Sequence, residues 1–270
     1  MYLHHRTVGD ITMATVDEGV GVPLVLLHGF PLDHSMWRHQ VEHLSGEVRV
    51  IAPDLRGYGE SELGDIDSTI GVPMEQYADD LNQLLDELEV TEPIVLGGFS
   101  MGGYVLWQFL NRHPHRVRAI VLCDTRAGAD DLPARQTRHK MAEHINVWGA
   151  AKVAEMMTPK LFSQQTFDER PEVVKELVRL ISEQNPAAIA AAQRGMAARA
   201  DSTPLLRQIL APTLVIVGSQ DAISTPAEME FIAGQIPGAC LQVIDAAGHM
   251  APVEQPEAVT TTLRHFLRQL

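Results

Sequence analysis

Ser100 stands in the pattern Gly98-Phe99-Ser100-Met101-Gly102, behind the apolar run Ile94-Val95-Leu96-Gly97 and ahead of a helical pattern that begins at Met101. A serine between strand and helix sits on a tight, strained turn that lifts its hydroxyl above the strand ends. Glycine suits positions 98 and 102, because a side chain at either would run into the strand or the helix. Such a hydroxyl can carry out acyl transfer: it attacks a carbonyl carbon and forms a covalent acyl intermediate. A neutral hydroxyl is a poor nucleophile, so a base must take its proton, and an acid must hold that base in the right tautomer. The carbonyl oxygen turns into an oxyanion and needs preorganised N–H donors, each worth about 10²–10³ in rate. The helix starting at Met101 also presents the positive end of its dipole to that charge. The chain has twelve histidines, so the serine motif alone does not pick out the base.

The elements that would position these groups are legible as an alternation. Ile11 to Val16 alternates like a half-buried strand. Leu24–Leu27, Val48–Ala52, Pro93–Leu96, Ala119–Leu122 and Leu214–Val217 are short, nearly continuous apolar runs, the mark of strands covered on both faces. Leu241–Ile244 fits as a last strand. Between them, Met74–Leu88 places Tyr77, Leu81, Leu84, Leu85 and Leu88 on one helical stripe. Helices are also expected over Met101–Asn111, over Ala227–Gln235 behind Thr225-Pro226, and over Pro256–Leu270. This order predicts an α/β fold with a mostly parallel sheet of about eight strands and helices on both faces. Residues 1–126 and 204–270 form its core. From 127 to 203 no buried strand is expected. Helices near Pro133–Asn146, Ala150–Met157, Pro171–Glu183 and Ala187–Arg199 read instead as a helical cap inserted between core strands.

On these residues the chain resembles the α/β-hydrolase superfamily over nearly its whole length outside the insertion. His28-Gly29-Phe30-Pro31 resembles the family's loop after the third strand, and Asp54-Leu55-Arg56-Gly57-Tyr58-Gly59-Glu60-Ser61 its D-x-R-G-x-G-x-S segment. Gly218-Ser219-Gln220-Asp221 and Gly248-His249 resemble its acid and base turns, in the family's chain order. The resemblance implies Ser100 as nucleophile, His249 as base, Asp221 as acid, and the backbone N–H groups of Phe30 and Met101 as the oxyanion hole. Asp124, at the end of Val121-Leu122-Cys123, is the competing acid, since some relatives place theirs there. Against that role, it reads as a turn residue accepting backbone hydrogen bonds. His28 is expected to shape its loop, Arg56 to form a structural ion pair, and Glu254 to accept a local hydrogen bond.

The likeness also bounds the reaction. Haloalkane dehalogenases and epoxide hydrolases of this superfamily carry aspartate at the elbow, where this chain has Ser100. Met101-Gly102-Gly103 resembles carboxylesterases, 3-oxoadipate enol-lactonase-like proteins and the cofactor-free haloperoxidase (perhydrolase) group, which often has tryptophan where this chain has Phe30. Cleavage of a small ester or lactone is the implied activity; perhydrolysis and a slow-turnover receptor on the same fold are the alternatives. Leu32, Trp37, Ile223 and Met250 flank the inferred turns, and Trp148, Met156, Met157 and Phe162 lie in the insertion. Together they would line an apolar substrate pocket. No cluster at metal-ligand spacing and no dinucleotide fingerprint appears, so neither metal nor cofactor is expected.

A formal net charge of −14 argues against nucleic acid and anionic membranes as partners. The N-terminal residues lack a basic head followed by an apolar run, and no apolar run could span a bilayer, so a cytoplasmic protein is expected. Cys123 and Cys240 are expected as two buried, reduced thiols. The sequence leaves the oligomeric state open.

Overall fold

A computed structural model describes residues 2–270. Its strands are β1 (Leu3–Val8), β2 (Ile11–Glu18), β3 (Pro23–Leu27), β4 (Arg49–Pro53), β5 (Ile94–Phe99), β6 (Val117–Cys123), β7 (Thr213–Gly218) and β8 (Cys240–Ile244). They form one sheet in the order β1-β2-β4-β3-β5-β6-β7-β8. β1 with β2 and β2 with β4 pair antiparallel, and every other pair is parallel. All residues of β3, β5 and β7 are buried, which explains why these strands have no polar alternation.

The two sheet edges depart from the sequence reading. β1 carries His4, His5 and Arg6 in a largely uncovered strand, and these polar residues leave it without apolar alternation. It pairs with β2 through the two-residue connection Gly9-Asp10, as a tight hairpin does. Polar residues on an edge strand also discourage pairing with other chains. At the other edge, Cys240 is exposed while Cys123 is buried. The expectation of two buried thiols therefore fails for Cys240: β8 closes the sheet, and only Ile244 of that strand is buried.

In chain order, the helices before the insertion are α1 (Arg38–Leu44), α2 (Met74–Glu87) and α3 (Met101–Arg112). Between β6 and β7 come α4 (Leu132–Trp148), α5 (Ala150–Leu161), α6 (Gln164–Glu169), α7 (Pro171–Ser182) and α8 (Pro186–Ala198). The chain then adds α9 (Pro226–Gln235), α10 (Ala251–Glu254) and α11 (Pro256–Leu267). In the insertion, α4 packs on α8 and α5 on α7. The side chains of Asp131, Ser163 and Asn185 cap α4, α6 and α8 by accepting backbone N–H groups of the first turn. The six-residue α6 is too short to register as a periodic pattern, yet it sits against the site described below. Among the described residues no helix is long and apolar enough to cross a membrane.

Candidate active site

Ser100 joins β5 to α3 with φ 50° and ψ −111°, a left-handed conformation that a non-glycine residue holds only under structural compulsion. The compulsion is visible in its flanks. A Cβ on Gly98 would lie 2.5 Å from the Gly102 carbonyl oxygen, and one on Gly102 would lie 2.5 Å from that of Leu27. The turn is pinned from both sides: Ser100 donates its N–H to the Cys123 carbonyl at 3.0 Å, and its own carbonyl accepts the Thr125 hydroxyl at 2.6 Å. Its side chain stays partly open to solvent.

Two turns from the far half of the sheet meet this hydroxyl. His249, in the connection between β8 and α10, brings Nε2 to 3.0 Å from Ser100 Oγ. Its Nδ1 lies 2.8 Å from Asp221 Oδ2. With Asp221 ionised, Nδ1–H donates to the carboxylate and Nε2 is left to accept the serine proton. Asp221 follows β7, and its other oxygen, Oδ1, accepts the N–H groups of Ile223 at 2.7 Å and Ser224 at 3.0 Å. His249 and Asp221 are each only 3% exposed, so the relay is shielded from water up to the serine. The Phe99 ring packs against the His249 imidazole with centroids 5.1 Å apart.

Asp124 comes close without joining this relay. Side-chain atoms of Asp124, Asp221 and His249 all lie within 4.8 Å of one another. Asp124 accepts Gly218 N–H on Oδ1 at 2.8 Å and the Cys123 thiol on Oδ2 at 3.2 Å. Burial first, and then the neighbouring Asp221 charge, push its carboxyl well above the usual carboxylate range.

The backbone N–H groups of Phe30 and Met101 make no hydrogen bond within the described residues. Phe30 sits in the turn closed by Leu32 N–H donating to the Gly29 carbonyl at 2.9 Å. Leu32, Trp37, Phe162 and Met250 are buried, and Met157 and Ile223 pack on the core half-buried. Trp148 and Met156 depart from the expected pocket lining, being 39% and 44% exposed. Trp148 ends its helix and stacks on His144 one turn earlier, so solvent covers much of both side chains.

The remaining motif residues are structural ties. His28 is fully buried, accepts Leu55 N–H on Nε2 at 2.9 Å and holds Nδ1 at 2.9 Å from the Gly29 carbonyl. Burial lowers its pKa and keeps it neutral. Arg56 forms paired hydrogen bonds to buried Asp80, at 2.7 and 2.8 Å, and reaches Asp10 as well. Asp54 accepts the His34 ring and backbone N–H groups and that of Glu60, while the Ser61 hydroxyl donates to the Asp54 carbonyl at 2.7 Å. These contacts fix the loop after β4 against the loop after β3.

Sheet order, the strained serine turn and the relay together define an α/β hydrolase. The chain belongs to the alpha/beta hydrolase fold family, whose model matches residues 22–256. Among solved structures it is similar to a thermophilic esterase from Thermogutta terrifontis, determined with malate bound. That pair is 45% identical over 100% of this chain and 99% of the other, with a TM-score of 0.95. The enol-lactonase from Burkholderia xenovorans LB400 is 27% identical over 98% of this chain and 100% of that one, with a TM-score of 0.88. The 3-oxoadipate enol-lactonase 2 of Acinetobacter baylyi is 28% identical, covering 97% of this chain and 96% of its own length.

Proposed function

We propose that this protein is a carboxylic ester hydrolase that opens small esters or lactones through an acyl-enzyme on Ser100. The observation that carries the reading is the continuous relay from Ser100 Oγ to His249 at 3.0 Å and on to Asp221 at 2.8 Å, at the head of α3. Similarity to an esterase and to enol-lactonases supports the same class of substrate.

In this mechanism Oγ attacks the carbonyl carbon while Nε2 of His249 takes its proton. Asp221 stabilises the imidazolium and does not itself take the proton. The oxyanion is received by the N–H groups of Phe30 and Met101, helped by the positive end of α3. The C–O bond to the leaving alcohol then breaks and His249 returns the proton to it. For a lactone, the freed alcohol stays attached to the acyl group. Water attacks the ester carbon next, again with His249 as base, and releases the acid and Ser100.

A panel of chromogenic esters and lactones of graded acyl length tests the proposal. The expected result is steady turnover of short-chain members, abolished in Ser100→Ala, since loss of a triad serine costs about 10⁶ in turnover in the subtilisin precedent. A single stoichiometric burst with no further release would instead favour a receptor. Undiminished turnover by Ser100→Ala would refute the assignment.

A further inference from the structure

Glu254 is one of several fully buried ionisable groups that the mechanism above leaves unused. It ends α10, has no solvent exposure and lies six residues beyond Gly248. Its Oε1 accepts the Gly248 N–H at 2.7 Å. Its Oε2 accepts two groups from the insertion: the Ser163 N–H at 2.8 Å and the Thr166 hydroxyl at 2.7 Å. One carboxylate thus ties the turn that carries His249 to the start of α6.

The surroundings reinforce this junction from the same two sides. The Met250 N–H donates to the Leu161 carbonyl at 3.1 Å, and the Ser163 hydroxyl donates to the Ala246 carbonyl at 3.2 Å. Arg170 donates to the Glu254 backbone carbonyl at 2.6 Å. Contact is so close that a Cβ on Gly248 would lie 2.7 Å from the Phe162 carbonyl carbon and the Ser163 nitrogen. Backbone on both sides of His249 is therefore held by residues 161–166 of the insertion.

We propose that Glu254 is a positioning residue for His249, and that Ser163 and Thr166 make the helical insertion a working part of the base's support. Hydrogen bonds to an ionised acceptor are short and strong, and three of them converge on one buried carboxylate. Such a carboxylate is costly to leave half-satisfied, so the insertion and the base turn lock or loosen together. Displacement of a catalytic group by about 1 Å can cost about 10² in rate, so slack at this junction falls on the chemical step before it falls on substrate binding. The inference rests on His249 acting as the base in ester hydrolysis.

The test compares Thr166→Val with Thr166→Ser in the full chain, using a short-chain chromogenic ester. Thr166→Val removes the hydroxyl that donates to Glu254 and lies 3.0 Å from the Ser163 hydroxyl, in a helix distant in sequence from every triad residue. The expected result is a fall in kcat of about tenfold with KM changed by less than about twofold, and recovery in Thr166→Ser, which keeps the donor. The rate of covalent labelling by a serine-directed phosphonate should fall in parallel. Glu254→Gln, which turns an amide NH₂ or a single carbonyl toward the three donors, should lose about 10² in kcat. If Thr166→Val lowers the melting temperature but keeps wild-type kcat and labelling rate, the junction only stabilises the fold and the inference is overturned. A wild-type protein that neither turns over esters nor takes the label overturns the functional reading itself.

Discussion

Neighbouring strands β6 and β7 each deliver a carboxyl group to the same few ångströms, and the two groups are held by different partners. Asp221, beyond β7, has one oxygen supported by the N–H groups of Ile223 and Ser224 and the other free for His249 at 2.8 Å. Asp124, at the end of β6, spends one oxygen on Gly218 N–H and has the Cys123 thiol on the other. Its backbone carbonyl also receives the Ser224 hydroxyl at 3.1 Å, so it braces the acid turn from below. Two buried carboxyl groups beside one imidazole cannot both ionise cheaply, and environment decides which keeps the proton. Here the balance tips toward a proton on Asp124: burial and the Asp221 charge push its carboxyl up. Closeness to a histidine therefore does not make a catalytic acid. The proposed mechanism gives that part to Asp221, whose Oδ1 is supported by two N–H groups while Oδ2 faces His249.

The largest test of this contrast is Asp221→Asn. It keeps the shape but lets the imidazole take the wrong tautomer, and kcat should fall about 10⁴, as in the serine-protease precedent. Steady-state kinetics on the best ester of the panel would measure it. Asp124→Asn should cost no more than about tenfold in kcat, the scale of one disturbed hydrogen bond at about 1 kcal/mol. If the two variants exchange rank, Asp124 and not Asp221 is the working acid.

The smallest effect is on stability, and its sign follows from the proton count. Burial and the Asp221 charge push the Asp124 carboxyl up in the folded protein, whereas the unfolded chain releases this proton above about pH 3.9, so above that pH the folded state binds more protons and is penalised as pH rises. Asp124→Asn lacks that penalty. Its melting temperature relative to wild type should therefore climb between about pH 4 and pH 7, as followed by thermal unfolding monitored by circular dichroism. A difference that stays constant over that range would mean that Asp124 is ionised when folded.

Much of this arrangement was legible in the sequence, for reasons that differ from residue to residue. Ser100 stands out because steric crowding forces glycine at 98 and 102, and the buried strands stand out because both faces must be apolar. β1 escaped because an edge strand needs no apolar alternation, and His4, His5 and Arg6 conceal it. The choice between Asp221 and Asp124 could not be made from spacing, since each follows an apolar strand. It turns on which carboxylate oxygen is free, a matter of three-dimensional hydrogen bonding. Glu254 could be read as a local acceptor through Gly248, but its partners Ser163 and Thr166 lie 91 and 88 residues away. Trp148 and Met156 carry the composition of a pocket wall, yet their places on the helices leave them well exposed for large apolar side chains.

A covalent acyl intermediate on Ser100 can be caught by rapid quenching and mass spectrometry. The protein is mixed with a short-chain chromogenic ester, quenched in acid within the first turnovers, and its intact mass and peptide masses are determined. A single acyl adduct confined to the peptide containing Ser100 is expected, accumulating in Asp221→Asn if deacylation slows, and missing from Ser100→Ala. Turnover without any adduct in wild type or Asp221→Asn, combined with an adduct on another residue in Ser100→Ala, would contradict it.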